Sequence, residues 1–131
     1  MATKGGDALE EKDVAAVRAV LERYVNATYR ADVKSLRSTF HPEAVMAGYL
    51  GNDLIVGTPE PFFADVGSHP SMLETGAPYK ADIADVHVAG RVASARLEES
   101  GFFGTASFVN YFHLLSVDGD WKIVSKAFQT V

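Results

Sequence analysis

Cysteine is absent from the 131 residues, so disulfides, thiolate metal ligands and a cysteine nucleophile are excluded, and stability must come from a packed core. Basic residues are in the minority, 12 against 17 acidic ones, for a formal net charge of -5. The chain lacks the cationic surplus that phosphate-backbone binding needs, and nucleic acid is not expected as a partner. No run approaches the roughly 18 apolar residues of a membrane span, and the opening Met1-Ala2-Thr3-Lys4-Gly5-Gly6-Asp7 lacks the apolar stretch of a signal peptide. A cytoplasmic protein without membrane contact is the expectation. Also missing are the Gly-x-Gly-x-x-Gly, P-loop and Gly-x-Ser-x-Gly patterns, the commonest local signatures of dinucleotide, phosphate and serine-hydrolase chemistry. The four histidines show no His-x-x-x-His spacing, so no metal is expected, nor any other cofactor.

What is present is a core. Apolar residues make up 47 % of the chain and charged residues 22 %, enough for one globular domain spanning 1–131. The first half reads as helical and the second as strand-rich, which argues for an α+β fold. Asp7 and Glu10 resemble a capping box, and Val14, Val17, Leu21, Tyr24, Val25 and Thr28 recur at helical spacing, predicting a helix from Ala8 to Arg30. Asp32 offers an N-cap for a short helix carrying Val33, Leu36 and Phe40, ended by Pro42. Thr58-Pro59 opens a third helix with Phe62, Phe63 and Val66 on its apolar side.

Ala44–Leu50 and Asp53–Val56 flank Gly51-Asn52 and predict a hairpin. Residues 67–78 read as a loop long enough to rim a pocket. Four strand-forming segments follow, Tyr79–Val88, Arg91–Ser100, Gly104–Val117 and Trp121–Thr130, at the separations of an antiparallel meander.

Several stretches in order carry a resemblance: Arg23-Tyr24-Val25 through Ala31-Asp32 and Leu36, Phe40-His41-Pro42-Glu43-Ala44, Gly90 to Ala93, and Tyr111-Phe112-His113-Leu114-Leu115 through Asp118-Gly119 to Trp121-Lys122-Ile123-Val124, Lys126 and Phe128. From about Val14 to Phe128 the chain resembles the nuclear transport factor 2-like superfamily, in its SnoaL-like, "putative lumazine-binding" branch. The resemblance implies a cone: a curved antiparallel sheet wrapped around a long N-terminal helix with two short helices, and a pocket in its open end. It also implies a homodimer through the outer sheet face, on which Val109, Val124 and Phe128 are expected. It does not imply one chemistry, because isomerases, dehydratases, cyclases and non-enzymatic binders share the fold.

Tyr24 lies on the helix segment where the resembled ketosteroid isomerases carry an oxyanion-hole tyrosine, and its phenol could donate to a ligand oxygen. Packing in the core is its alternative role. Aligning the closing strands places His113 where those isomerases hold a protonated acid, a position from which a histidine could act as general acid or base. Its direction depends on the Asp118-Gly119 turn. A two-residue turn pairs Trp121 with Ser116, whereas a three-residue bulged turn pairs it with Leu115 and puts Tyr111 and His113 on the Trp121 face. The bulged register is favoured because it sets large apolar residues opposite Trp121.

The isomerases' catalytic aspartate would fall near Ala47 or Gly48, neither of which accepts a proton, so steroid isomerisation by that mechanism is disfavoured. His41 could contact a ligand or merely end the second helix. Asp82, if it shares the Leu97 face, is a candidate base, although aspartates near strand ends are more often solvated. Lys126 could reach an anionic ligand, but lysines at such sheet positions are more often solvated or at an interface. The site expected is Tyr24 and His113 as the polar pair, with Phe40, His41, Met46, Tyr111 and Trp121 against the ligand. Two functions stay open: a cofactor-independent lyase or isomerase acting on a small, partly apolar carbonyl compound, or a non-catalytic binding or dimerisation module.

Overall fold

The apolar stripe of the first segment forms one side of a 27-residue helix, α1 (Lys4–Arg30). The computed structural model describes residues 4–131, with side-chain surroundings from Glu10 onward. Met1 to Thr3 lie outside the described residues. Because α1 begins upstream of Ala8, Asp7 lies within the helix and is not its N-cap. Val17, Leu21, Tyr24, Ala27 and Thr28 are buried along one side of it, the spacing that three or four residues per turn requires.

A second helix, α2 (Val33–Ser38), starts at Asp32, whose carboxylate accepts the Ser35 N–H at 3.2 Å. It is shorter than predicted. Thr39 ends it, and Phe40 and His41 already belong to strand β1 (Phe40–Leu50), where Pro42 holds the preceding residue in extended geometry. The hairpin to β2 (Asp53–Gly57) turns at Gly51-Asn52 as expected, with Leu50 opposite Asp53. α3 (Glu60–Ser68) follows Pro59. The segment expected as a loop holds the end of α3 and a further turn of helix, α4 (Met72–Thr75), capped by the Ser71 hydroxyl.

The remaining strands are β3 (Lys80–Ala89), β4 (Val92–Phe102), β5 (Ala106–Val117) and β6 (Asp120–Thr130), and the six strands form one curved, unclosed sheet in the order β2-β1-β6-β5-β4-β3. From β3 to β6 the pairing is the predicted antiparallel meander. β1, however, joins β6 in parallel, and everything from β2 to β5 supplies the long crossover that a parallel pair needs. The architecture is α+β, with the sheet wrapped around α1.

The β5–β6 register differs from the one favoured above. Asp118 and Gly119 have φ of 51° and 85°, the positive values of a tight two-residue turn for which Asp-Gly is suited. Val117 therefore pairs with Asp120, and Ser116 with Trp121. The irregularity lies further along, where Leu114 pairs with Ile123 but His113 with Ser125, leaving Val124 as the extra residue. Phe108, Asn110, Phe112 and Leu114 consequently face inward with Trp121 and Ile123, and all six are buried. Tyr111 and His113 face outward; Tyr111 is 56 % exposed and His113 is also exposed.

Similarly, Ala89 pairs with Val92, and the strand slips at Asp85, so Asp82 lies opposite Glu98 on the exposed side rather than on the Leu97 face. No helix among the described residues is long and apolar enough to cross a membrane.

Candidate functional site

The inner face of the sheet divides into two zones. Under α1, Ala93, Ala95, Leu97, Phe112, Leu114, Trp121 and Ile123 close a dry core with Val17, Leu21 and Tyr24. Beyond it, Met46, Phe108 and Phe128 form a second cluster with Phe62 and Phe102, and here the sheet and α3 leave a cavity of about 270 Å³. Its walls are Met46, Leu50, Ile55, Pro61, Phe62, Phe102, Phe108 and Phe128, with polar groups from Thr58, Asp65, Glu99, Asn110 and Lys126.

Three of those polar residues are buried and stand on adjacent strands: Glu99 on β4, Asn110 on β5 and Lys126 on β6. Register sets them on a diagonal. Lys126 is paired with Phe112, Asn110 with Leu97, and Glu99 with Phe108, so each strand places its polar side chain one pleat repeat further along the inner face. Lys126 owes its inward direction to the Val124 bulge. Without that extra residue, strict alternation from Trp121 and Ile123 would send residue 126 outward.

At one end, Lys126 Nζ donates to the Tyr24 hydroxyl at 2.6 Å and lies 3.9 Å from the centre of the Phe62 ring. Among the described residues, no carboxylate is within ion-pair distance of it. Burial without a counter-ion disfavours the ammonium and pushes the Lys126 pKa down to about 8, with the negative charge of Glu99 pulling the other way. At the other end, Glu99 accepts from the Tyr79 hydroxyl at 2.5 Å and from Asn110 Nδ2 at 2.7 Å. Both tyrosine hydroxyls are held well above their ordinary pKa, chiefly by burial and then by the charge of Glu99. Both therefore remain protonated at any physiological pH. No buried side-chain nitrogen or oxygen among the described residues is left without a partner.

The expected site residues fall in five places. Met46 lines the cavity. Tyr24 is fully buried behind it, not itself a wall residue, and reaches it through its contacts with Lys126 and the Phe62 ring. Phe40 and Trp121 pack in the dry core, Phe40 with its ring 6.0 Å from that of Tyr24. His41 is half-buried on β1, its Nδ1 accepting the Glu43 N–H at 3.0 Å, and is not a wall residue. Tyr111 and His113 are on the opposite face of the sheet, so the expected Tyr24–His113 pair does not form: the two-residue turn reverses the direction of every odd-numbered side chain on that part of β5.

Lys126 is the group to which Tyr24 is paired, and Glu99 and Asn110 were missed. Their signal was available. Ala93, Ala95 and Leu97 alternate on β4 and Glu99 continues that row, while Trp121-x-Ile123 and Phe128 on β6 are out of phase, which requires a bulge between them. Among the described residues no three histidine or acidic side chains converge as a metal site would require.

A family model described as "Putative lumazine-binding" matches residues 12–129. The chain belongs to that family. Its fold is shared with solved structures of nuclear transport factor 2-like proteins of unknown function. The one from Shewanella baltica OS155 is 30 % identical, covering 92 % of this chain and 94 % of that one, with a TM-score of 0.80. The one from Methylobacillus flagellatus KT is 28 % identical over 92 % and 93 %, with a TM-score of 0.81. A third, from Silicibacter pomeroyi DSS-3, is 25 % identical over 92 % and 98 %, also at 0.81. Among curated proteins none matches.

The superfamily expectation drawn from sequence thus holds for this chain. A Cβ on Gly48 would lie 2.7 Å from two atoms of the Phe128 ring. The space beside Gly48 is occupied by Phe128, an aromatic wall of the cavity.

Proposed function

We propose that the cavity takes a small, partly apolar carbonyl compound with its oxygen toward Lys126, and that the protein acts on it as a cofactor-independent lyase or isomerase. The observation that carries this reading is Lys126 itself: a buried amine with no carboxylate partner among the described residues, held by Tyr24 at the end of an aromatic cavity. At a buried position such as that of Lys126 a single cationic donor stabilises negative charge developing on a carbonyl oxygen far more than it would in water. Glu99, held by Tyr79 and Asn110, is the buried carboxylate on the same cavity and is assigned the movement of a proton at the carbon next to the carbonyl. Tyr24 fixes Nζ and does not itself touch the ligand. The volume of about 270 Å³ compares with the ~150 Å³ that suffices for benzene, which points to one substituted ring or an equivalent chain.

The test is calorimetry with matched compounds, a cyclic ketone against the hydrocarbon of the same shape, followed by proton NMR in heavy water. Carbonyl compounds should bind at least about tenfold more tightly, and their hydrogens next to the carbonyl should exchange faster with the protein than without it. Equal affinity for ketone and hydrocarbon removes the Lys126 reading, and binding without exchange reduces the protein to a non-catalytic binder.

The proposal includes a homodimer through the outer sheet face. Phe128, expected on that face, is instead in the cavity. Val45, Tyr49, Val92, Tyr111 and Leu115 take its place, all exposed on that side, and these apolar side chains are what a second copy would cover. Sedimentation at micromolar concentration should give twice the chain mass, and Tyr111→Glu should halve it. A wild-type chain that sediments as a monomer throughout that range refutes the dimer.

A further inference from the structure

A lysine that only donates a hydrogen bond to a ligand has no need of an unpaired, reactive nitrogen. Lys126 has the features of a nucleophile. Nζ is aimed from β6 at the cavity, has one hydrogen-bond partner, the neutral Tyr24 hydroxyl at 2.6 Å, and lies over the face of Phe62 at 3.9 Å with the Tyr24 and Phe128 rings at 5.3 and 5.6 Å. The charged groups that face this space from the surrounding elements are Glu99 of β4 and Asp65 of α3, and neither is within ion-pair distance of Nζ. Amines in such surroundings hold a larger neutral, nucleophilic fraction near neutral pH than surface lysines do.

We infer that Lys126 captures its carbonyl ligand covalently, as a reversible imine, and that the cavity therefore selects aldehydes and ketones over carboxylic acids and alcohols of the same shape. This rests on the carbonyl-binding reading above and deepens it.

The step balances without any co-reactant. The Nζ electron pair adds to the carbonyl carbon, forming a C–N bond while the C=O π pair moves to oxygen. A proton passes from nitrogen to that oxygen, giving a carbinolamine. The remaining N–H proton then passes to the hydroxyl, which leaves as water while the nitrogen pair closes the C=N bond. One amine and one carbonyl compound yield one imine and one water, with nothing oxidised or reduced. Glu99, lining the same cavity, can carry the proton in both transfers. The protonated imine is a stronger electron sink than a hydrogen-bonded carbonyl and suits bond cleavage at the neighbouring carbons. The lowered pKa of Lys126, about 8, agrees with this chemistry.

Benzaldehyde is the probe, because it has no hydrogen next to its carbonyl and so isolates imine formation from proton abstraction. The intact protein is incubated with it at pH 8, reduced with borohydride, and mapped by peptide mass spectrometry, while calorimetry with benzyl alcohol measures occupancy of the same cavity without a carbonyl. The expected result is one benzyl group per chain, on Lys126, at least about tenfold above any other lysine, Lys122 included. Excess benzyl alcohol should suppress it. Lys126→Arg, which keeps the charge, should lose this adduct alone and leave the weak surface labelling unchanged. If benzyl alcohol binds and benzaldehyde competes for its site, yet Lys126 carries no adduct, the imine is refuted and the binding reading stands. If neither compound occupies the cavity, both fall. Localisation in the wild-type chain decides the matter even if the variant does not fold.

Discussion

Exchanging Lys126 for Met should raise the melting temperature by several degrees at pH 7 while abolishing the preference for carbonyl ligands. The folded chain holds Lys126 at a pKa of about 8 against 10.5 when unfolded, and that difference costs roughly 3 kcal/mol of stability at neutral pH. Met has a similar length and no charge to desolvate. Against this gain stands the Tyr24 hydroxyl, which would lose its partner at a cost of about 1–2 kcal/mol, so the net expectation is stabilisation by about 1–2 kcal/mol.

The same residue fixes the sign of the pH dependence. Between about pH 8 and pH 10 the unfolded chain holds the Lys126 proton and the folded chain has released it, so wild-type stability should rise with pH across this window. Above pH 10 the trend should reverse. Tyr24 and Tyr79 keep their protons in the folded state while unfolded phenols ionise, and stability present below pH 10 is lost. Denaturant titrations at several pH values check both limbs. The Met variant should lack the rise and keep the fall. A variant less stable than wild type at pH 7, or one that retains the rise, would place the buried charge elsewhere.

Gly48→Ala should be among the most damaging single-methyl changes in the molecule, destabilising by about 3 kcal/mol or more. Gly48 on β1 pairs with Phe128 on β6, and an added Cβ would fall 2.0 Å from the Phe128 carbonyl oxygen and 2.7 Å from its ring. The oxygen is backbone and cannot rotate away. Relief requires β1 to lift from β6, which opens the parallel pair and displaces the ring that walls the cavity. Gly57→Ala is the internal control, since nothing lies within 4 Å of the position its Cβ would take, and it should change stability by no more than about 0.5 kcal/mol. Chemical denaturation of the two variants side by side is sufficient. Equal stabilities would mean that β1 and β6 do not approach as closely as described.

Much of this molecule follows from local rules. The spacing of Val17, Leu21, Tyr24 and Thr28 specifies a helix and the side it buries, Asp32 specifies where α2 starts, and Gly51-Asn52 specifies a hairpin, because in each case the deciding interaction spans a few residues. Residue order alone also carries the superfamily and the α+β class. The end of α2 was misjudged for a local reason, as Phe40 fits either a helical stripe or a strand. The parallel β1–β6 pair was not legible at all. It joins residues about eighty positions apart, and nothing in either segment names its partner.

The site depended on a still finer matter. A side chain on a strand faces in or out by parity, so one extra residue decides the chemistry of everything beyond it. Placing that residue at the Asp118-Gly119 turn puts Tyr111 and His113 inside. Its true place, Val124, puts Phe112 and Asn110 inside on β5 and turns Lys126 of β6 toward Tyr24. The sequence determined which polar residues these strands carry; only the tertiary pairing of β5 with β6, fixed by packing Trp121 and Ile123 against α1 and Phe128 against Gly48, decided which of them share a cavity.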